Sequence, residues 1–372
     1  VTGKNSPLIY GRTCSILSLV KEIMNMKKLN VALAILVTAV MAGNAQTNSV
    51  NSETVGYVTT TIAAGPGGGV SKITPISPVL LELTSSAGVN TGVISGVASN
   101  SITVASAGWA VNGLSSSQGY VMLTTGTQTG LILRITSNTS DTATLDTFAL
   151  NIATAGVAVG DSFKIVVGET LLSMFGNTSN GVVGGTSTQF ATRAIDTVVA
   201  RDALGSLRTF YFDTTSNTWK RSGSGTDQGS TPIAPNSGVL YYRVGTTALN
   251  YVQTGIVPSL GLKCIIPASG SVFLGRFFPT DGTIANYGLN SLSGWNNTSQ
   301  GGVTTASVDK LVTVDNTTGS VRSYYYNGTK WLRSGSSTAQ DSVAVPAGGA
   351  AYTVRNGTGS ASILTVTAPY SL

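Results

Sequence analysis

The chain has 372 residues, of which 10% are charged, 45 are glycine and none is histidine. The missing imidazole excludes Ser-His-Asp and Cys-His nucleophile systems, His-ligated zinc and histidine pH switches. An apolar fraction of 41% with so little charge speaks against a disordered chain, and the length suggests roughly two or three domains.

Residues 1–25 read as leader from an overlong gene assignment, and 26–45 as a signal peptide. Met26 opens it, Lys27 and Lys28 form its positive end, 31–42 is apolar, and Gly43-Asn44-Ala45 suits cleavage before Gln46. That apolar run is too short for a bilayer core of ~30 Å, so no transmembrane helix is expected in the mature chain. The expected location is extracellular, on the outer cell surface or in the periplasm. Five of the 21 basic residues and one of the 15 acids precede Gln46, leaving a mature chain of 16 and 14, net +2. Nucleic-acid binding, which needs a clustered basic face, is not expected. Cys14 falls in the leader. Cys264 is left without an intramolecular partner, as a buried thiol or a dimer-forming one.

After Gln46 no stretch keeps a helical period over three turns. Short runs rich in Val, Ile, Thr, Tyr and Phe alternate with Gly, Asn, Ser and Pro clusters, which predicts an all-β fold. A first β module starts at 46–80. Residues 81–168 read as an inserted small β-barrel, with strands over 92–97, 101–105, 119–124, 131–136, 142–146 and 162–167. The rest of the first module follows at 169–258, and a second module at 259–372. The fold class expected is therefore two copies of a sandwich-like module of about 112 residues, the first split by the barrel.

An internal repeat carries this division. Ser206-Leu-Arg-Thr-Phe-Tyr-Phe212 with Trp219-Lys-Arg-Ser-Gly-Ser224 matches Ser320-Val-Arg-Ser-Tyr-Tyr-Tyr326 with Trp331-Leu-Arg-Ser-Gly-Ser336. Asp196 and Asp202 match Asp309 and Asp315. Pro235, Gly238 and Tyr241 match Pro346, Gly349 and Tyr352. A weaker match sets Ile62 to Gly65, through Thr74-Pro75, against Ile266 to Ser269, through Pro279-Thr280.

Asn327-Gly328 predicts a two-residue hairpin loop pairing 326 with 329, 324 with 331 and 322 with 333. One face then carries Arg322, Tyr324, Tyr326, Trp331 and Arg333. Its counterpart carries Arg208, Phe210, Phe212, Trp219 and Arg221. These ten are the candidate ligand-binding residues, a platform for stacking sugar rings or a partner. The same pattern also suits an inner sheet face with arginines at its rim.

No G-x-S-x-G elbow, Walker loop, H-E-x-x-H, C-x-x-C or D-x-D-x-D-G loop occurs. No catalytic residue, metal ligand or cofactor is expected. The Gly-rich run 65–69 reads as a loop. Acids such as Asp141, Asp213, Asp227 and Asp281 sit beside Thr, Asn, Ser or Gly, as turn residues do.

Four stretches carry a family resemblance: Val55-Gly-Tyr-Val-Thr59 after the signal peptide; 92–104; Gly160-Asp-Ser-Phe163 leading to Leu171-Leu-Ser-Met-Phe-Gly176; and the aromatic hairpin followed by Pro235-x-x-Gly238. They resemble an uncharacterised family of exported, paralogous all-β proteins expanded in Verrucomicrobia-type bacteria. The resemblance implies export and architecture and assigns no activity. Members often carry a charged or His-containing stretch where this chain has Val167-Gly-Glu-Thr170. The expected function is a secreted or cell-surface, non-catalytic structural or adhesive protein, contacting extracellular polysaccharide or copies of itself. The alternatives are an outer-membrane β-barrel and a polysaccharide-active enzyme using a carboxylate pair.

Overall fold

The computed structural model describes residues 54–83, 88–202, 206–297, 308–315, 318–357 and 360–371. The leader and signal-peptide expectations lie outside them. The described residues form an all-β protein: two similar sheet modules, the first split by a smaller curled sheet.

In the first module, strands Lys72–Ile76, Val239–Arg243, Thr197–Arg201, Leu207–Asp213 and Thr218–Arg221 lie side by side in that order, all antiparallel. Period-two alternation turns Val198, Ala200, Phe210, Phe212, Trp219 and Tyr241 into one core. In the second module, Ser269–Gly275, Ala350–Asn356, Lys310–Val314, Val321–Tyr326 and Trp331–Arg333 repeat the order. The accessories repeat too. A two-stranded ribbon, Val55–Ile62 with Leu249–Ile256, has its counterpart in Leu262–Ile266 with Ser362–Val366. A short pair, Glu169–Thr170 with Pro232–Ile233, corresponds to Gly282–Thr283 with Ala344–Val345. Each pair feeds a helical turn whose entry is fixed by a side chain: Ser173 Oγ and Asn286 Oδ1 accept the N–H of Thr170 and Thr283, at 2.8 and 2.7 Å.

Two details of the repeat need correction. Val198 pairs with Tyr241 and Leu311 with Thr353, so Tyr241 corresponds to Thr353 and not to Tyr352. Likewise Thr74 faces Tyr241 and Val272 faces Thr353, so Pro75 corresponds to Phe273 and not to Thr280. The connection from ribbon to sheet spans 63–71 in one module and only 267–268 in the other. That length difference misled the linear comparison.

The strands of the inserted sheet run from Glu82 to Val167. Its order is Glu82–Leu83, Ser162–Val167, Gly119–Leu123, Ile132–Asn138, Thr142–Leu145, Ser101–Thr103 and Gly96–Val97, with Thr91–Val93 also on Ser162–Val167. Among the described residues the path does not close, and the sheet is a half-barrel curled around Ile102, Val121, Leu133 and Phe163. A bulge between Ile135 and Ser137 helps it bend.

The outer faces of the two five-stranded sheets pack on each other through Leu240, Phe273 and Val314. The packing follows a pseudo-twofold axis. Ser77 N–H donates to Gly348 O (2.8 Å), and Gly275 N–H donates to Asn236 O (3.1 Å). By strand register Ser77 corresponds to Gly275, and Asn236 to Gly348. Each half thus makes to the other the bond it receives, the mark of an isologous contact.

Candidate functional site

The hairpin residues come together as two aromatic faces, in a register different from the expected one. Tyr324 pairs with Arg333 and Tyr326 with Trp331, so the loop is Asn327 to Lys330. Asn327 Oδ1 causes this by accepting the N–H groups of Thr329 and Lys330 at 3.0 and 2.9 Å. The slip is two residues, so under period-two alternation no side chain changes face. In the first module Phe212 pairs with Trp219 and Phe210 with Arg221.

The structure places most of these rings inside the modules. Phe210, Phe212, Trp219 and Trp331 are at most 1% exposed, Tyr324 is buried and Tyr326 half-buried. Trp219 Nε1 donates to Gly176 O (2.8 Å), and Trp331 packs edge-on to Trp295. The arginines stand at the rim. Arg208 Nε and Arg221 Nη1 converge on Asp202 Oδ2 at 3.0 and 3.4 Å, and Arg322 Nη2 lies 4.0 Å from Asp315 Oδ2. Arg333 is half-buried opposite Tyr324. Of the matched acids, Asp202 and Asp315 thus form ion pairs with the rim arginines Arg208, Arg221 and Arg322.

Sequence reasoning missed a second duplicated constellation. Asp196 and Arg243 form an ion pair, both at most 3% exposed as side chains; Asp309 and Arg355 form its equivalent, both at 0%. Asp196 Oδ2 accepts Val183 N–H and Asp309 Oδ2 accepts Asn296 N–H, each at 2.9 Å and from 13 residues upstream. Val244 and Asn356, the residues after each arginine, donate N–H to the other carboxylate oxygen at 2.8 Å. Each guanidinium also reaches a glycine carbonyl, Gly181 at 2.9 Å and Gly294 at 2.7 Å. A buried charge costs little only when paired and hydrogen-bonded. The first cage meets both conditions, whereas in the second Arg355 Nε meets Asp309 as an ion pair alone and its Nη1 makes no hydrogen bond among the described residues. Matching Tyr241 with Tyr352 set Arg243 against Val354 and hid the arginine pair. In the first cage Tyr241 Oη donates to Asp196 Oδ2 (2.9 Å). Burial first, then the Asp196 charge, pushes that phenol well above the usual tyrosine range.

Two of the concave regions among the described residues bear on function. The first is a narrow cleft of about 100 Å³ where both modules meet the half-barrel. Arg134 and Asp146 of the half-barrel face Arg201 and Asp202 of the first module across it. The Arg201 guanidinium lies 4.5 Å from the ring centroid of Phe148. Burial lowers the pKa of Arg201, opposed by the nearby Asp146 and Asp202 charges. Opposite charges and a stacked ring across a narrow gap hold the half-barrel to the module.

The second region is a groove of about 460 Å³ on the outer sheet face of the first module. Its floor is Thr197, Val199, Thr209 and Tyr242, and its wall is the helical turn Ser187–Ala191 with Arg193. Phe190 anchors the turn by stacking on Tyr211 at 4.6 Å. Arg193 follows the turn at φ 58°, where its N–H donates to Phe190 O (3.0 Å). Glycine is the usual residue at such a left-handed cap, and a side chain there costs roughly 1 kcal/mol. The Arg193 guanidinium is exposed and makes no ion pair or side-chain hydrogen bond among the described residues. Desolvation raises the pKa of the Tyr242 phenol, and the Arg193 charge counters it. No local motif marks this groove, which joins residues from 71 to 244.

Cys264 is buried and unpaired, and burial pushes its thiol up to about 12. Among the described residues no three of His, Cys, Asp and Glu gather as a metal-holding group, and no helix is long and apolar enough to cross a membrane. No family model, curated protein or solved structure matches the chain.

Proposed function

We propose that the protein is a secreted or cell-surface, non-catalytic structural or adhesive β protein, whose partners are extracellular polysaccharide or copies of itself. The observation that carries this reading is the use made of the buried carboxylates. Asp196 and Asp309 are caged by arginine and backbone N–H groups. Asp202 receives two arginines, and Asp213 receives Lys220 Nζ at 2.6 Å. Asp161 accepts the N–H of Ala158 at 2.9 Å. These acids hold loops and sheet edges in place. The family resemblance noted for the sequence and the signal peptide expected at 26–45 support the same reading.

The test is extraction of the native cell envelope with urea and, separately, with mild detergent, followed by immunodetection. Release by urea, or recovery from the medium, is the expected result. Release by detergent alone would overturn the reading in favour of an integral barrel. Hydrolysis of a polysaccharide lost on substituting one exposed acid would favour the enzyme alternative.

A further inference from the structure

We infer that the groove beside Arg193 is a binding subsite for an acidic sugar, a uronic-acid unit of a polysaccharide. The inference rests on the surface-protein reading and names the surface and the ligand chemistry.

Three observations lead to it. The first is the cation. A guanidinium is a planar fork that fits a carboxylate with two parallel hydrogen bonds. Arg193 holds one at the mouth of the groove without an internal partner, at a backbone position that favours glycine. The chain has 45 glycines to draw on and does not place one there.

The second is the polar lining. Strands of this sheet use their backbone groups in the ladder, so a ligand on the sheet face must be read by side chains. Ser71, Thr197, Thr209 and Tyr242 supply four hydroxyls, none engaged in a side-chain hydrogen bond among the described residues. Hydroxyls that both donate and accept suit the hydroxyl groups of a pyranose. The rings of Phe190 and Tyr242 offer an apolar surface for its C–H face, and the groove volume is that of a small-ligand site.

The third is the comparison with the duplicate. By register Tyr242 corresponds to Val354 and Thr197 to Lys310. The same sheet is built in the second module with neither the phenol nor the threonine; Tyr242 also packs against the inter-module cluster of Leu240, Phe273 and Val314, a role that leaves its hydroxyl unused.

Isothermal titration calorimetry of the full chain with trigalacturonate tests the inference, with cellotriose as the neutral control. We expect saturable binding of trigalacturonate, weakened by added salt, and at least tenfold weaker binding of cellotriose. Arg193→Gly should cut the affinity at least tenfold while keeping or raising the melting temperature, because glycine relieves the left-handed backbone. Tyr242→Val, which installs the residue of the second module, should weaken binding with the fold retained. If Arg193→Gly lowers the melting temperature, Arg193→Asn is read in its place. Absence of saturable binding, equal affinity for cellotriose, or full affinity in the Arg193 variants would overturn the inference. So would tenfold tighter binding of a carboxylate-bearing peptide such as Phe-Asp-Phe. Envelope extraction is a separate readout: a chain released by urea that ignores trigalacturonate refutes the groove alone, and detergent-only release refutes the surface reading.

Discussion

The two ribbons are the most instructive pair in the molecule. They share position and register, yet one is covered on both faces and the other on one. In the second module, Ile265 sits opposite Ile363, and both turn into the core of the half-barrel. The other face of that ribbon, with Leu262, Cys264, Ile266, Leu364 and Val366, turns into a cluster built from its own module and from Tyr120, Met122, Ile132 and Val166 of the half-barrel. In the first module the equivalent pair is Thr61 opposite Asn250, exposed and joined by a hydrogen bond of 3.1 Å. Its inner face keeps Ile62 and Tyr251 buried. The strand LKCII is therefore apolar at every position but Lys263 because it has a neighbour on each side, whereas burial in VGYVTTTI alternates because it has one. The difference teaches that the half-barrel changed the sequence of the module it leans on, and left the ribbon of the module it interrupts facing water.

The comparison can be broken at several points. The largest effects are expected where the modules agree. Asp196→Asn and Asp309→Asn each strand a buried arginine and should cost about 3–5 kcal/mol, read from the denaturant midpoint. Similar costs would establish the cages as equivalent, and a cost below 1 kcal/mol in either would refute that. Trp219→Ala and Trp331→Ala should also lose about 3–5 kcal/mol as packed rings. Near-wild-type stability in either would return that ring to the list of surface candidates.

Where the modules differ, the effects should split. Ile265→Ala should cost about 2–4 kcal/mol and raise the protease sensitivity of the half-barrel junction. Thr61→Ala, at the matching position, should change stability by no more than about 0.5 kcal/mol. Similar losses at the two positions would mean that the ribbons are covered alike. The smallest effect concerns Cys264. Its thiol is raised from 9.0 to about 12. The unfolded chain thus releases its proton first, and stability should decline as pH rises from about 9 towards 12. Below that window the folded chain should resist thiol reagents and react only on unfolding. Rapid labelling of the folded protein at pH 8 would show the ribbon to be more open than described.

Much of the architecture was legible in the sequence because β modules advertise themselves. Runs of β-formers such as 197–200 and 209–212 stand out, and turn residues separate them. The repeat was legible because aromatic and Arg–Asp positions recur in order. What escaped was pairing. The Asn327-Gly328 dipeptide signals a two-residue loop, yet the Asn327 side chain closes a four-residue one. The arginine cages needed register, since Pro235 and Gly238 invite alignment with Pro346 and Gly349, one residue off the spacing that the paired strands keep. The groove was illegible for another reason. Arg193 reads as an ordinary surface charge until its φ of 58° and its place beside Tyr242 are known.

The pseudo-twofold axis carries a consequence for how such a chain arises. On a true twofold axis a residue meets its own copy, so whatever it gains it must also tolerate. Ser77 and Gly275 are equivalent residues facing each other across the axis, and a Cβ on Gly275 would collide with the Ser77 hydroxyl. Gly238 and Ala350 form a second such pair, with Gly238 against the Ala350 methyl. Two identical modules would have to place Ser against Ser or Gly against Gly, losing either space or contact. Joined in one polypeptide, the halves divide the roles, one supplying the bulk and the other the room. Covalent fusion thus gives this contact a fit that no pair of identical subunits reaches at the same two positions.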